Sequence, residues 1–165
     1  MQEKTLEKGY IEYLEKRNTF PRKFLWDAIQ KYIDQQVFTL KEGAKILDAG
    51  CGDGKITARY NERYKVTGVD YQPKYIEMCK KNYPDGEYVK ADIEKLPWQD
   101  NTFDCVVFNQ AIEHLRHPEK ALEELSRVTK KNGLIIITTP NYGSPLWVTI
   151  ERIWFPIFGG NCQPE

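Results

Sequence analysis

The sequence predicts an α/β domain built on a doubly wound parallel sheet. Short apolar runs of strand length alternate with helical stretches through the middle of the chain, the pattern of strand-helix-strand units with right-handed crossovers. Glycines at 50, 52 and 54 sit directly between the first such strand and the helix after it. Three carboxylates, Asp48, Asp70 and Asp92, stand at the ends of the first three strands, the edge of an open α/β sheet where ligands gather.

Residues 3–17 and 20–38 are expected to be helical. The second has Thr19 as its N-cap, Pro21 near its first turn and an apolar stripe of Phe24, Leu25, Ala28, Ile29, Tyr32 and Ile33. Ile46 and Leu47 suit a buried parallel strand. Gly50, Gly52 and Gly54 then allow a tight turn and a close backbone approach to a ligand, and residues 56–60 read as a helix whose free N–H groups face the loop. A dinucleotide fingerprint would need glycine at 55 or 57, where Lys55 and Thr57 stand. A P-loop would need glycine at 49 and Ser or Thr at 56, where Ala49 and Ile56 stand.

Residues 65–70 form the second strand, and its Asp70 falls about 20 residues past Asp48, the separation of an acid that holds a ribose diol. A helix over 73–82 opens on Pro73. Residues 87–93 read as a third strand that ends in Asp92, and 103–115 form the fourth element. A helix over 118–131 has Pro118 and Glu119 at its start, Lys130 and Lys131 at its end and Gly133 just beyond. Residues 134–139 are then a fully buried fifth strand. In the tail, apolar residues at 146, 147, 150, 153, 154 and 157 keep helical spacing, which suits packing against the sheet or, in a second reading, a lid or docking surface that Trp154 would anchor. The whole is expected as a single domain, with N-terminal helices over 1–40, a cofactor-binding core over 44–142 and an apolar segment over 143–165.

The run Asp48-Ala49-Gly50-Cys51-Gly52-Asp53-Gly54, followed in order by Asp70, Asp92 and Glu113-His114-Leu115, resembles the class I S-adenosylmethionine-dependent methyltransferases over roughly 44–142. Within them it resembles the small-molecule branch that includes quinone-biosynthesis enzymes. The resemblance implies a Rossmann-like sheet of order 3-2-1-4-5 with helices on both faces, S-adenosylmethionine across the carboxyl ends of strands 1, 2 and 4, and S-adenosylhomocysteine as product. It assigns cofactor binding to Asp48, Gly50, Cys51, Gly52, Gly54, Asp70, Tyr71, Asp92, Ile93, Asn109 and Gln110. Asp70 would hold the ribose and Asp92 the exocyclic amine of adenine, with Tyr71 and Ile93 on the two faces of the base. His114 is the candidate catalytic base for a hydroxyl acceptor, against an equal reading in which it orders the loop. Tyr10, Tyr13 and Arg22 are candidates for the methionine carboxylate, against ordinary surface or packing roles. Glu113, His114 and His117 lack the order of a zinc-binding helix, and Gln110 stands where some quinone O-methylating relatives carry Glu, so no metal is expected. The family's sixth and seventh strands have no counterpart before Glu165, so by the resemblance the chain is either a natural minimal form or one that stops early, the second favoured because Cys162-Gln163-Pro164-Glu165 resembles the lead-in to those strands.

At 165 residues and 19.4 kDa the chain is long enough for a real core. Lys and Arg total 24, as do Asp and Glu, and the zero formal charge gives no electrostatic case for nucleic acid. A small-molecule acceptor, apolar or lipid-like, fits better, and the apolar tail also suits a homodimer contact. Cys51, Cys79, Cys105 and Cys162 form no C-x-x-C pair, which argues against zinc and for a reducing compartment. The charged start lacks the apolar centre of a signal peptide and no run of about 18 apolar residues occurs, so a soluble cytoplasmic protein with no transmembrane segment is expected. Two other classes compete with a methyltransferase: a non-catalytic S-adenosylmethionine-binding scaffold or partner subunit, and an aminopropyl transferase, for which no acidic polyamine pocket is evident.

Overall fold

The computed structural model describes residues 22–140, of which 33–139 form one compact unit and 22–32 with Pro140 belong to another. The first helix, α1 (Arg22–Val37), buries Ile33 and Val37 completely. Within the stripe read from the sequence, Phe24 is 66% exposed and Tyr32 52%. Asp34, in the part of α1 that belongs to the 33–139 unit, accepts Arg59 Nε at 2.8 Å, Arg59 Nη2 at 2.5 Å and the Tyr60 hydroxyl at 2.5 Å, which ties the 33–37 end of the helix to the helix after the glycine loop.

Beyond α1 the order is β1 (Lys45–Ala49), α2 (Lys55–Tyr60), β2 (Lys65–Asp70), α3 (Pro73–Asn82), β3 (Glu87–Lys90), β4 (Phe103–Asn109), α4 (Pro118–Val128) and β5 (Thr129–Thr138). The sheet runs β3-β2-β1-β4-β5 and every pairing between neighbouring strands is parallel, as expected. From β1 the chain adds strands first one way and then the other. Right-handed crossovers therefore put α2 and α3 on one face and α4 on the opposite face. Leu47, Ala49, Val69 and Phe108 pack with Leu125 and Val128 of α4, whereas Cys51 and Tyr88 pack with Ile76 and Cys79 of α3. Central strands buried on both sides explain their uninterrupted apolar runs: Ile46, Leu47, Val66, Val106 and Val107 are at most 2% exposed.

Pro73 and Pro118 open α3 and α4, where a missing N–H costs nothing. The end of α4 corrects the sequence reading. The helix stops at Val128, and Thr129 is already paired with Phe103 at the start of β5. Thr129 donates its hydroxyl to Leu125 O at 2.6 Å, closing the helix, and Lys130 meets Asp104 at 2.7 Å across the sheet. Lys130 and Lys131 therefore belong to a strand, with a register irregularity and Asn132 at φ 66° absorbing the extra residues before Leu134. Nor is β5 fully buried: Ile136 is 4% exposed but Ile137 is 40%, because β5 is the edge of the described sheet.

Gly68 shows how closely α2 lies on β2. A Cβ there would sit 2.7 Å from Thr57 Oγ1, 2.9 Å from Tyr88 Cδ1 and 3.1 Å from Cys51 Cβ. Gly68→Ala is expected to cost about 1–3 kcal/mol as an overpacking change. Urea unfolding measures this directly, and an unchanged midpoint would refute the packing argument.

Candidate functional site

The reversal of strand order between β1 and β4 opens a crevice at their carboxyl ends, and the glycine loop lies there. The loop is built from local backbone bonds. Cys51 N donates to Val69 O at 2.8 Å, Gly54 N to Cys51 O at 2.8 Å and Ala58 N to Gly54 O at 2.9 Å. Gly54 caps α2 in the left-handed region at φ 76°, and a Cβ on it would fall 2.8 Å from Cys79 Sγ, so both conformation and space require glycine. Cys79 in turn donates its thiol to Gly52 O at 3.2 Å.

Asp48 lies within β1 and is 1% exposed. Its Oδ2 accepts the Thr57 N–H at 3.0 Å and the Thr57 hydroxyl at 2.7 Å, so it holds the turn into α2 from beneath. Burial raises its pKa to about 7, against the opposing effect of the two Thr57 bonds. Cys51 is also packed inward, at 6% exposed, beside Cys79. Contact with this thiol and burial both push its pKa upward, which keeps it an inert thiol.

Asp70 differs from Asp48 in sitting at the strand's last position, only partly covered. Its Oδ2 accepts Gly52 N at 3.1 Å and its Oδ1 accepts Gln72 N at 2.9 Å. Burial raises its pKa, while N–H bonds from Gln72, Gly52 and Tyr71 oppose the rise. An ionised carboxylate offers about four lone-pair sites, so both oxygens keep capacity for further donors. Tyr71 follows and is 65% exposed.

Asp92 is two residues beyond the end of β3, which stops at Lys90 rather than running on to Ile93. Ala91 N bonds to Asp70 O at 3.2 Å, and the chain then turns: Asp92 Oδ1 accepts Glu94 N at 2.9 Å and Asp92 O accepts Lys95 N at 3.0 Å. Ile93 packs partly buried against the core while Asp92 stays exposed. At the end of β4, Asn109 accepts the Thr138 hydroxyl, and Gln110 donates its backbone N–H to Thr138 O at 2.9 Å. Gln110 takes φ 52°, an uncommon conformation for a residue with a side chain, of the kind that gathers at functional sites.

His114 closes a single 3-10 turn over Ile112–His114, and its side chain is exposed. Leu115 is extended, so the spacing of His114 and His117 does not put them on one helical face. His117 instead precedes α4 and lies 3.5 Å from Glu119, while Glu113 accepts the Thr139 hydroxyl at 3.4 Å. Among the described residues no three imidazole, thiol or carboxylate groups converge as a metal site. Tyr10 and Tyr13 lie outside the described residues, and Arg22 opens α1. The tail over 143–165, including Trp154 and Cys162, also lies outside them. A groove of about 420 Å³ lined by Thr39, Gly43, Asp104, Lys130 and Gly133 sits at the amino ends of the strands, away from the glycine loop. Of its two carboxylates, Glu42 and Asp104, the latter is already taken by Lys130 and by Lys45 N.

Sequence reasoning missed Thr57, whose partner is chosen by the fold, and the Glu124-Arg127 pair, whose i, i+3 spacing was visible but whose target loop was not.

Sheet order, glycine loop and the acid at the end of β2 together define a doubly wound domain of the nucleoside-cofactor-binding class. The chain belongs to the family described as "Methyltransferase domain", which matches residues 47–137, more than half of its length. It is 32% identical over 110 residues to demethylmenaquinone methyltransferase of Paenarthrobacter aurescens (strain TC1), covering 66% of this chain and 44% of that protein. It is 35% identical over 100 residues to malonyl-[acyl-carrier protein] O-methyltransferase of Buchnera aphidicola subsp. Baizongia pistaciae, covering 60% and 40%. The chain thus spans about half the length, or less, of these two curated relatives. The PH0226 protein from Pyrococcus horikoshii OT3 matches in fold with TM-score 0.68 and 23% identity, covering 86% of this chain and 65% of that one.

Proposed function

We propose that this chain transfers the methyl group of S-adenosylmethionine to a small-molecule acceptor by in-line displacement. The observation that carries the reading is Asp70: a carboxylate at the end of β2, hydrogen-bonded to Gly52 of the glycine loop, with acceptor capacity left for a ribose diol. Family membership supports the same donor.

Bound S-adenosylmethionine supplies a methyl group already activated by its sulfonium, so the protein's share is alignment of the acceptor and exclusion of water. Gly50, Gly52 and Gly54 let the backbone approach the donor closely. Asp48 and Cys51 act from below, the first through Thr57 and the second through its backbone bonds to Val69 and Gly54. Asp92 would accept from the adenine amine, Tyr71 and Ile93 would offer surface to the base, and Asn109 with Gln110 would hold the donor's side of the path to the acceptor. His114, on the loop after β4, takes the proton of a hydroxyl acceptor. The reading extends to a cytoplasmic enzyme with an apolar or lipid-like acceptor and a homodimer contact in the tail. Among the described residues no helix is long and apolar enough to cross a membrane, and Cys51, Cys79 and Cys105 are free thiols.

Calorimetric titration with S-adenosylmethionine and S-adenosylhomocysteine is the test. One saturable site per chain is expected, and absence of binding by folded protein overturns the proposal. Transfer activity is expected to persist in EDTA, because Gln110 supplies no carboxylate beside Glu113 and His114. Loss with EDTA and recovery with magnesium would reverse that expectation.

A further inference from the structure

The geometry points to Arg127 and Glu124 as positioning residues for adenine recognition, acting from α4 through the backbone of the loop that carries Asp92. The inference rests on the proposed donor site and deepens it.

Arg127 uses all five of its N–H groups. Nε and Nη2 reach the two Glu124 oxygens at 2.7 Å each, in a fork-to-fork pair. Nη1 donates to Trp98 O at 2.8 Å and to Asp100 Oδ1 at 2.9 Å, and Nη2 donates to Leu96 O at 3.1 Å. Glu124 Oε2 accepts Leu96 N at 2.7 Å, so the pair grips Leu96 at both its N–H and its carbonyl. The Leu96 side chain is 5% exposed in the core. Leu96 directly follows the Asp92-to-Lys95 turn, whose other end is fixed by the bond from Ala91 N to Asp70 O. Asp92 therefore sits on a short turn anchored on one side to the ribose acid's strand and on the other to the Glu124-Arg127 pair. Without the second anchor its carboxylate loses its fixed place against the base. Lysine, with one ammonium on a flexible stem, cannot reproduce a planar fork that serves five acceptors.

The test compares binding of S-adenosylhomocysteine with its S-inosyl counterpart, in which a carbonyl replaces the amine that Asp92 would accept. Wild-type protein is expected to prefer the adenosyl compound, and Asp92→Asn to lose that preference. Arg127→Lys is expected to lower adenosyl affinity by about tenfold, the value of one charge-assisted hydrogen bond, with inosyl affinity changed less than about twofold. Adding Arg127→Lys to Asp92→Asn is expected to change nothing further, since both act on one contact. Glu124→Gln, a milder change, is expected to shift the ratio the same way and carries the test if Arg127→Lys does not fold. A variant that is folded and weakens both ligands alike, or leaves the ratio at the wild-type value, overturns the inference while the donor site stands. Failure of the wild type to bind either compound overturns both.

Discussion

Replacing Asp70 with alanine is expected to weaken S-adenosylhomocysteine binding by about 100-fold or more. Two charge-assisted hydrogen bonds to the ribose hydroxyls are each worth about 1.5–3 kcal/mol, and tenfold in affinity is about 1.4 kcal/mol. The same substitution also releases Gly52 N and Gln72 N, which the carboxylate holds at 3.1 and 2.9 Å, so the loop loses an anchor as well as the ligand a partner. Asp70→Asn separates the two effects. Its amide oxygen can still accept from one backbone N–H, whereas the negative charge facing the diol is gone. Calorimetry is expected to rank wild type above Asp70→Asn and both above Asp70→Ala. A loss smaller than about threefold in the alanine variant would remove Asp70 from the ribose role.

The second large effect is a pH dependence of stability rooted in Asp48. Its carboxyl is buried, and burial lifts its pKa from 3.8 to about 7 in the folded protein. Between those values the folded chain keeps a proton that the unfolded chain has released. Stability contributed by this group therefore falls as pH rises through that window and stays low above it. Three pKa units set a ceiling of about 4 kcal/mol on the change. Asp48→Asn keeps an oxygen for Thr57 and removes the titration. Its unfolding free energy relative to wild type is expected to climb between pH 5 and pH 8 in urea denaturation. A constant difference across that range would show that Asp48 does not titrate there.

The glycine loop, the Pro starts of α3 and α4, the buried central strands and the acid that closes β2 were all legible because their signals are local. Three alternating glycines demand a turn, proline at a first helical position removes an unneeded N–H, and an apolar pair such as Ile46-Leu47 belongs where both faces are covered. The start of β5 was illegible for the opposite reason. Lys130 and Lys131 are good helix-ending residues by local chemistry, and only the pairing of Thr129 with Phe103 and of Lys130 with Asp104 draws them into the sheet.

The strand-end acids show the division most clearly. By itself the sequence determined that Asp48, Asp70 and Asp92 would gather at one edge of a parallel sheet, because alternating strands and helices make the strands parallel and parallel strands all end at the same edge. Tertiary structure alone decided what each became. The pleat and the close approach of α2 turned Asp48 inward to Thr57, the strand end left Asp70 open beside Gly52, and Asp92 fell on a turn held from 28 or more residues away by Glu124 and Arg127. A side chain's direction depends on which backbone reaches it across the fold, and those partners are distant in sequence.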